Sequence, residues 1–114
     1  MEEGTAVVYT IEELRRKITP IAKKYSIPAV FLFGSYARGD ATEDSDVDLL
    51  IDHRGSAIRG LFDLGAFYND LNEGLKKEID ILTLGSLDKF YVKQMSPRLK
   101  DKIDKERVSI YERQ

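Results

Sequence analysis

A five-residue apolar run, Ala29-Val30-Phe31-Leu32-Phe33, stops on Gly34-Ser35. Ten residues further on, Asp46-Val47-Asp48-Leu49-Leu50-Ile51 begins a second run in which Val47, Leu49 and Ile51 alternate with Asp46, Asp48 and Leu50. A short apolar run of this kind reads as a buried strand, and alternation of period two reads as a strand with two distinct faces. The short connection lets the two pair antiparallel. A sheet constrains a chain more than a helix does, because each strand needs neighbours for its backbone polar groups.

The rest of the chain supplies them. Glu78-Ile79-Asp80-Ile81-Leu82-Thr83 is a third strand, and Val108 to Tyr111 a fourth, at an edge. Thr10 and Glu13 have capping-box spacing, which opens a helix by satisfying its first N–H groups. Ile11, Leu14, Ile18, Ile21 and Tyr25 then form one apolar stripe, kinked or split near Thr19 by Pro20. Ser35 to Gly39 reads as a short helix or turn. A longer stripe runs through Ala57, Leu61, Leu64, Tyr68, Leu71 and Leu75, predicting a helix over 56–75 that Gly60, Gly65 and Gly74 each weaken by up to ~1 kcal/mol. Ser86 caps a helix with Leu87, Phe90, Tyr91 and Met95 on its apolar face, and Leu99 and Ile103 mark another. Strands alternating with helices predict an α/β (α+β) fold: a small mixed sheet flanked by helices.

Composition removes several functions. At 114 residues the chain is one domain with a single modest core. It has no Cys and one His, His53, so disulfide scaffolds, thiolate sites and multi-histidine zinc sites are excluded. No apolar run nears the ~18 residues of a membrane span, so a soluble cytoplasmic protein is expected. The net charge of −2 hides an asymmetry: residues 1–85 hold 10 basic and 15 acidic side chains, residues 86–114 hold 8 and 5. That balance speaks against unaided nucleic-acid binding, which usually shows a basic face.

Six carboxylates crowd 36–52: Asp40, Glu43, Asp44, Asp46, Asp48 and Asp52. Asp46 and Asp48 lie two apart on a strand, so they share a face. Taken alone they read as exposed strand residues. Asp80 changes that, because it sits mid-strand between Ile79 and Ile81, where an unpartnered charge is poorly tolerated. If its strand neighbours theirs, three oxygen ligands meet in a pattern that suits Mg²⁺ shared with substrate phosphates. Asp44-x-Asp46-x-Asp48 also resembles a calcium loop, but Leu49 and Gly55 stand where that loop needs glycine and glutamate. Gly34 lets backbone approach a ligand closely, and the Ser35 hydroxyl beside a helix start suits a phosphate. Arg38 reads equally as a phosphate ligand or as a bridge to Asp40 or Asp44. Tyr36 reads as a packing residue, and the Lys and Arg residues after 86 as a solvated helix face, with an ATP-side or partner-side role as the lesser reading.

Gly34-Ser35, ten residues, Asp46-Val47-Asp48, within Phe-Gly-Ser-Tyr-Ala-Arg-Gly-Asp and Asp-Ser-Asp-Val-Asp-Leu-Leu, resembles the minimal nucleotidyltransferases of the polymerase-beta superfamily. The resemblance spans about 10–111 and maps the family's third carboxylate to Asp80. It implies the polymerase-beta-like fold over 1–114, with 1–9 flexible. Stand-alone members of this size resemble the antitoxins of a toxin–antitoxin system whose toxin is a HEPN-domain RNase. The implied activity is Mg²⁺-dependent transfer of AMP from ATP to a toxin tyrosine. Gly34 and Ser35, with Arg38, would bind the triphosphate. Asp46 and Asp48 would ligate two Mg²⁺, and Asp80 the ion that activates the acceptor. A hetero-oligomer with the toxin follows, since the chain has no room for an acceptor-holding domain. Two other readings stay open: a nucleotidyltransferase acting on a small molecule or nucleic acid with a separate helical subunit, and an antitoxin that inhibits by occlusion.

Overall fold

The computed structural model describes residues 8–52, 54–84 and 97–113. His53 and the helix expected over 86–95 lie outside the described residues. In chain order the elements are α1 (Ile11–Lys24), β1 (Ala29–Phe33), α2 (Ser35–Arg38), β2 (Val47–Asp52), α3 (Leu61–Leu75), β3 (Ile79–Leu84), α4 (Pro97–Glu106) and β4 (Val108–Glu112). The sheet is four-stranded, in the order β3-β2-β1-β4. β1 pairs antiparallel with both β2 and β4, while β2 and β3 run parallel. The sheet is therefore mixed, as the strand spacing predicts.

α1 begins as a capping box: the Glu13 N–H donates to Thr10 Oγ1 at 3.0 Å, and the Thr10 N–H donates to Glu13 Oε1 at 2.8 Å. Glu12 and Glu13 in the first turn and Lys23 and Lys24 in the last complement the helix dipole. The helix runs through Pro20 without splitting. Leu14, Ile18 and Ala22 are buried, so packing of this face sustains the helix past the hydrogen bond that proline removes. Thr10→Ala should cost about 1 kcal/mol in urea unfolding, with no change in the slope against urea.

The core lies between the sheet and helices α1 and α3. Val30 and Leu32 of β1, with Val47, Leu49 and Ile51 of β2, are fully buried. Phe67 and Leu71 of α3 close over them, and Phe67 meets the Tyr25 ring edge-on at 5.4 Å. The Tyr9 hydroxyl donates to the Leu75 carbonyl at 2.6 Å, tying the entry of α1 to the end of α3.

The α3 helix starts later than the stripe from Ser56 implies. Gly60 is extended, with φ 178° and ψ −170°, which separates the helix from the residues before it, where Ala57 donates to the Tyr25 carbonyl at 2.9 Å, Ile58 to Ser56 Oγ at 3.1 Å, and Arg59 to Asp63 Oδ2 at 3.0 Å. The inward face is correspondingly rotated. Phe67 is buried, whereas Leu61, placed on the stripe, is 80% exposed. No helix of the described residues is long and apolar enough to cross a membrane.

Candidate active site

β1 and β2 pair so that Phe33 opposes Asp48, and the parallel register of β2 and β3 places Asp80 opposite Asp48. The alternation that buries Val47 and Leu49 thus turns Asp48 and Asp80 out together on the other face. Asp46 stands exposed just before β2. The two carboxylates on separate strands are neighbours by register, as the mid-strand charge at 80 predicts.

At the end of β1 the chain turns sharply at Gly34, with φ +77° and ψ −154°. Only glycine adopts that conformation without strain. A Cβ there would be driven into the Asp48 carboxylate, whose Cγ would lie 3.1 Å away. Asp48 therefore packs directly over the Gly34 backbone. Ser35 opens α2, and no side chain caps this turn. The first N–H groups of a helix have no acceptor within it. Tyr36, only 4% exposed, anchors α2 in the core, as a packing residue should. Gly39 closes the turn in the left-handed conformation, its N–H and that of Asp40 both donating to the Ser35 carbonyl at 3.0 Å.

The carboxylate-rich connection is a built turn. The Thr42 N–H donates to Ser45 Oγ at 2.8 Å, and the Ser45 N–H returns to the Thr42 carbonyl at 3.0 Å. Lys77, 7% exposed, donates its Nζ to the Glu43 carbonyl at 2.8 Å. It pins this turn to the junction of α3 and β3. No local sequence signal marks Lys77, which reads as one more charge in Lys76-Lys77-Glu78.

Burial pushes the Asp48 carboxyl up to about 6, reinforced by Asp80 and then Asp46, and only partly opposed by Arg38. No three His, Asp or Glu side chains among the described residues are gathered as a ready-made metal site. Asp48 and Asp80 nevertheless stand within hydrogen-bond reach of each other, a pairing that favours a proton on one of the two carboxyls or a cation between them.

Gly34, Ser35, Arg38 and Asp48 line a cleft of about 310 Å³ together with Lys102 and Glu106 of α4. Arg38 pairs with Asp40 and with Glu106, each at 3.4 Å. Both of its expected roles are compatible with this position, although the second carboxylate is Glu106 rather than Asp44. The sequence singles out neither Lys102 nor Glu106, because an ATP-side role for the basic stretch after 86 is only the lesser reading beside a solvated helix face. The one available signal is the positive balance of 86–114 against an acidic remainder. Asp46 lines a second cavity instead, about 470 Å³, together with Glu43, Asn72, Lys76 and Glu78.

The model of the nucleotidyltransferase domain family matches residues 12–110. A Methanocaldococcus jannaschii protein assigned as a protein adenylyltransferase is 38% identical over 100 residues, covering 88% of this chain and 97% of its own. Among solved structures, a chain of a toxin–antitoxin crystal structure with AMP-PNP superposes with a TM-score of 0.63 at 17% identity, covering 88% of this chain and 74% of that one. A chain from a complex of tri-AMPylated Shewanella oneidensis HEPN toxin with MNT antitoxin superposes with a TM-score of 0.59 at 15% identity, covering 91% and 74%. With the glycine-serine turn and the paired strand carboxylates in place, the chain belongs to the nucleotidyltransferase domain family, as a minimal nucleotidyltransferase related to the protein adenylyltransferases.

Proposed function

We propose that this protein transfers AMP from ATP to a tyrosine hydroxyl of a HEPN-domain toxin and thereby acts as its antitoxin. The observation that carries the reading is Asp48 facing Asp80 across β2 and β3, with the Asp48 carboxylate seated over the Gly34 turn. The family relationship and the toxin–antitoxin complexes among the structural neighbours support the acceptor and the partner.

The donor set fits Mg²⁺. Asp48 is half-buried, and its charge is disfavoured by Asp80 and Asp46, which a divalent cation would reverse. Asp46 and Asp48 would hold two ions, and Asp80 the one beside the acceptor. Bound Mg²⁺ would neutralise phosphate charge and acidify the attacking hydroxyl.

The chain's own residues then do the positioning. The Gly34-Ser35 turn holds the β- and γ-phosphates in the cleft, with the Ser35 hydroxyl as a donor. The acceptor oxygen approaches the α-phosphorus from the Asp80 side, opposite that turn. As its bond to phosphorus forms, the bond from phosphorus to the bridging oxygen breaks, and pyrophosphate leaves along the Gly34-Ser35 cleft. The hydroxyl proton passes to the Asp80 carboxylate. Catalysis rests on alignment and charge stabilisation rather than on a covalent enzyme intermediate.

The test is incubation of the purified protein and its HEPN partner with α-labelled ATP and Mg²⁺. Label should appear on a partner tyrosine, and should disappear with Asp46→Ala or with EDTA. An unlabelled partner, or full labelling by Asp46→Ala, overturns the reading. Neutralisation that survives Asp46→Ala/Asp48→Ala would instead establish inhibition by occlusion.

A further inference from the structure

We propose that α4 is the second wall of the triphosphate site: Lys102 binds phosphate, and Glu106 is a positioning residue that holds the Arg38 guanidinium in the cleft. This rests on the proposed use of that cleft for ATP. Lys102 and Glu106 are four residues apart, so they stand on one side of the helix. Both line the same cleft as Gly34 and Ser35.

The charges explain why two cations are needed. Arg38 is shared between Asp40 and Glu106, both at 3.4 Å, the long end of an ion pair. Its charge is thus already divided between two carboxylates. Lys102 forms no ion pair among the described residues, whereas its neighbour Lys105 is held by Asp101 at 3.1 Å. Lys102 is therefore the cation of this wall whose charge is uncommitted.

The two Arg38 partners pull in different directions. Asp40 belongs to the exposed end of the α2 turn, its side chain 63% exposed. Glu106 lies on the cleft wall and is 28% exposed. Removing Glu106 leaves Asp40 alone to draw the guanidinium out toward solvent. Exposed ion pairs at such distances are weak, so Arg38 can exchange a carboxylate for a phosphate oxygen when nucleotide enters.

Binding of ATP and of AMP to the full chain, each with Mg²⁺ and followed by titration calorimetry, tests this without any acceptor. Lys102→Ala should weaken ATP binding about 10-fold and AMP binding less than about 2-fold, since one charge-assisted phosphate contact is lost. Lys102→Arg should restore most of the ATP affinity. Lys105→Ala, the same charge change on the same helix, should leave it unaltered. Glu106→Ala should weaken ATP binding several-fold, and Arg38→Ala/Glu106→Ala should be no worse than Arg38→Ala alone, because Glu106 acts through Arg38. Equal ATP affinity for wild type and Lys102→Ala, or an equal loss for AMP, overturns the role of Lys102. Additive losses for Arg38 and Glu106 overturn the positioning role. A wild-type chain that binds no ATP overturns both this inference and the proposed function; one that binds ATP regardless of α4 variants overturns this inference alone.

Discussion

Asp48→Asn should reduce AMP transfer by on the order of 10³-fold while raising the melting temperature of the metal-free protein. The two effects have one cause. Asp48 is half-buried over Gly34, opposite Asp80 and close to Asp46, and its carboxyl is pushed up to about 6 from 3.8. A carboxyl whose folded value is raised supports the fold while protonated. That support is complete below the unfolded value and is lost as pH rises through the folded one. The wild type should therefore lose about 1–3 kcal/mol between pH 4 and pH 7, after discounting for partial solvent screening. The asparagine variant keeps the shape without the charge and should escape that loss. Thermal unfolding in EDTA at pH 4, 6 and 8 checks it: the gap between the two proteins should open with pH. A variant less stable than wild type at pH 8 would show that the carboxylates do not repel one another as described.

Gly34→Ala should damage both fold and activity. The backbone at φ +77° disfavours any side chain, and the new methyl group would displace Asp48. Strain and displacement together should cost about 2–4 kcal/mol, and transfer should fall by about 10²-fold or more. Gly39 separates the two effects. It has φ +85°, yet a Cβ there meets nothing within 4 Å. Gly39→Ala should incur only the backbone cost, about 1 kcal/mol, with Asp48 left in place. Denaturant unfolding of both variants, with ATP binding alongside, measures the difference; equal losses would mean that contact with Asp48 contributes nothing.

Much of the site is legible in the sequence because its signals are local. Thr10 and Glu13 form their capping box within four residues of each other. The alternation of Val47 to Ile51 is enough by itself to assign Asp48 to one face of its strand. Asp80 is the instructive case. Its partner is 32 residues away, yet a charge between two isoleucines on a strand announces that it needs one. Lys102 and Glu106 lack such a signal. Their membership in the cleft depends on where α4 packs, which follows from the sheet order rather than from neighbouring residues. Lys77 is similar, since its burial is set by the Glu43 carbonyl 34 residues away. The start of α3 departs from its periodicity for a related reason: the backbone is extended at Gly60, and the residues before it are tied to Tyr25 at a distance in the chain rather than to the stripe.

The parallel register of β2 and β3 also governs which length changes this protein can survive. A strand has only two faces, so sliding β3 by one residue would bring Ile79 or Ile81 opposite Asp48 and turn Asp80 into the packed core. There is no half-way arrangement for the carboxylate pair. Insertions in the exposed turn at Arg54 and Gly55 can be taken up before Ala57, bonded to Tyr25, and the buried Ile58 fix the chain again. A deletion that shifts Asp80 by one residue cannot, and would part it from Asp48 even in a chain that still folds. Length variation in descendants of this sequence should therefore collect between β2 and α3 and spare the strands that carry the acids.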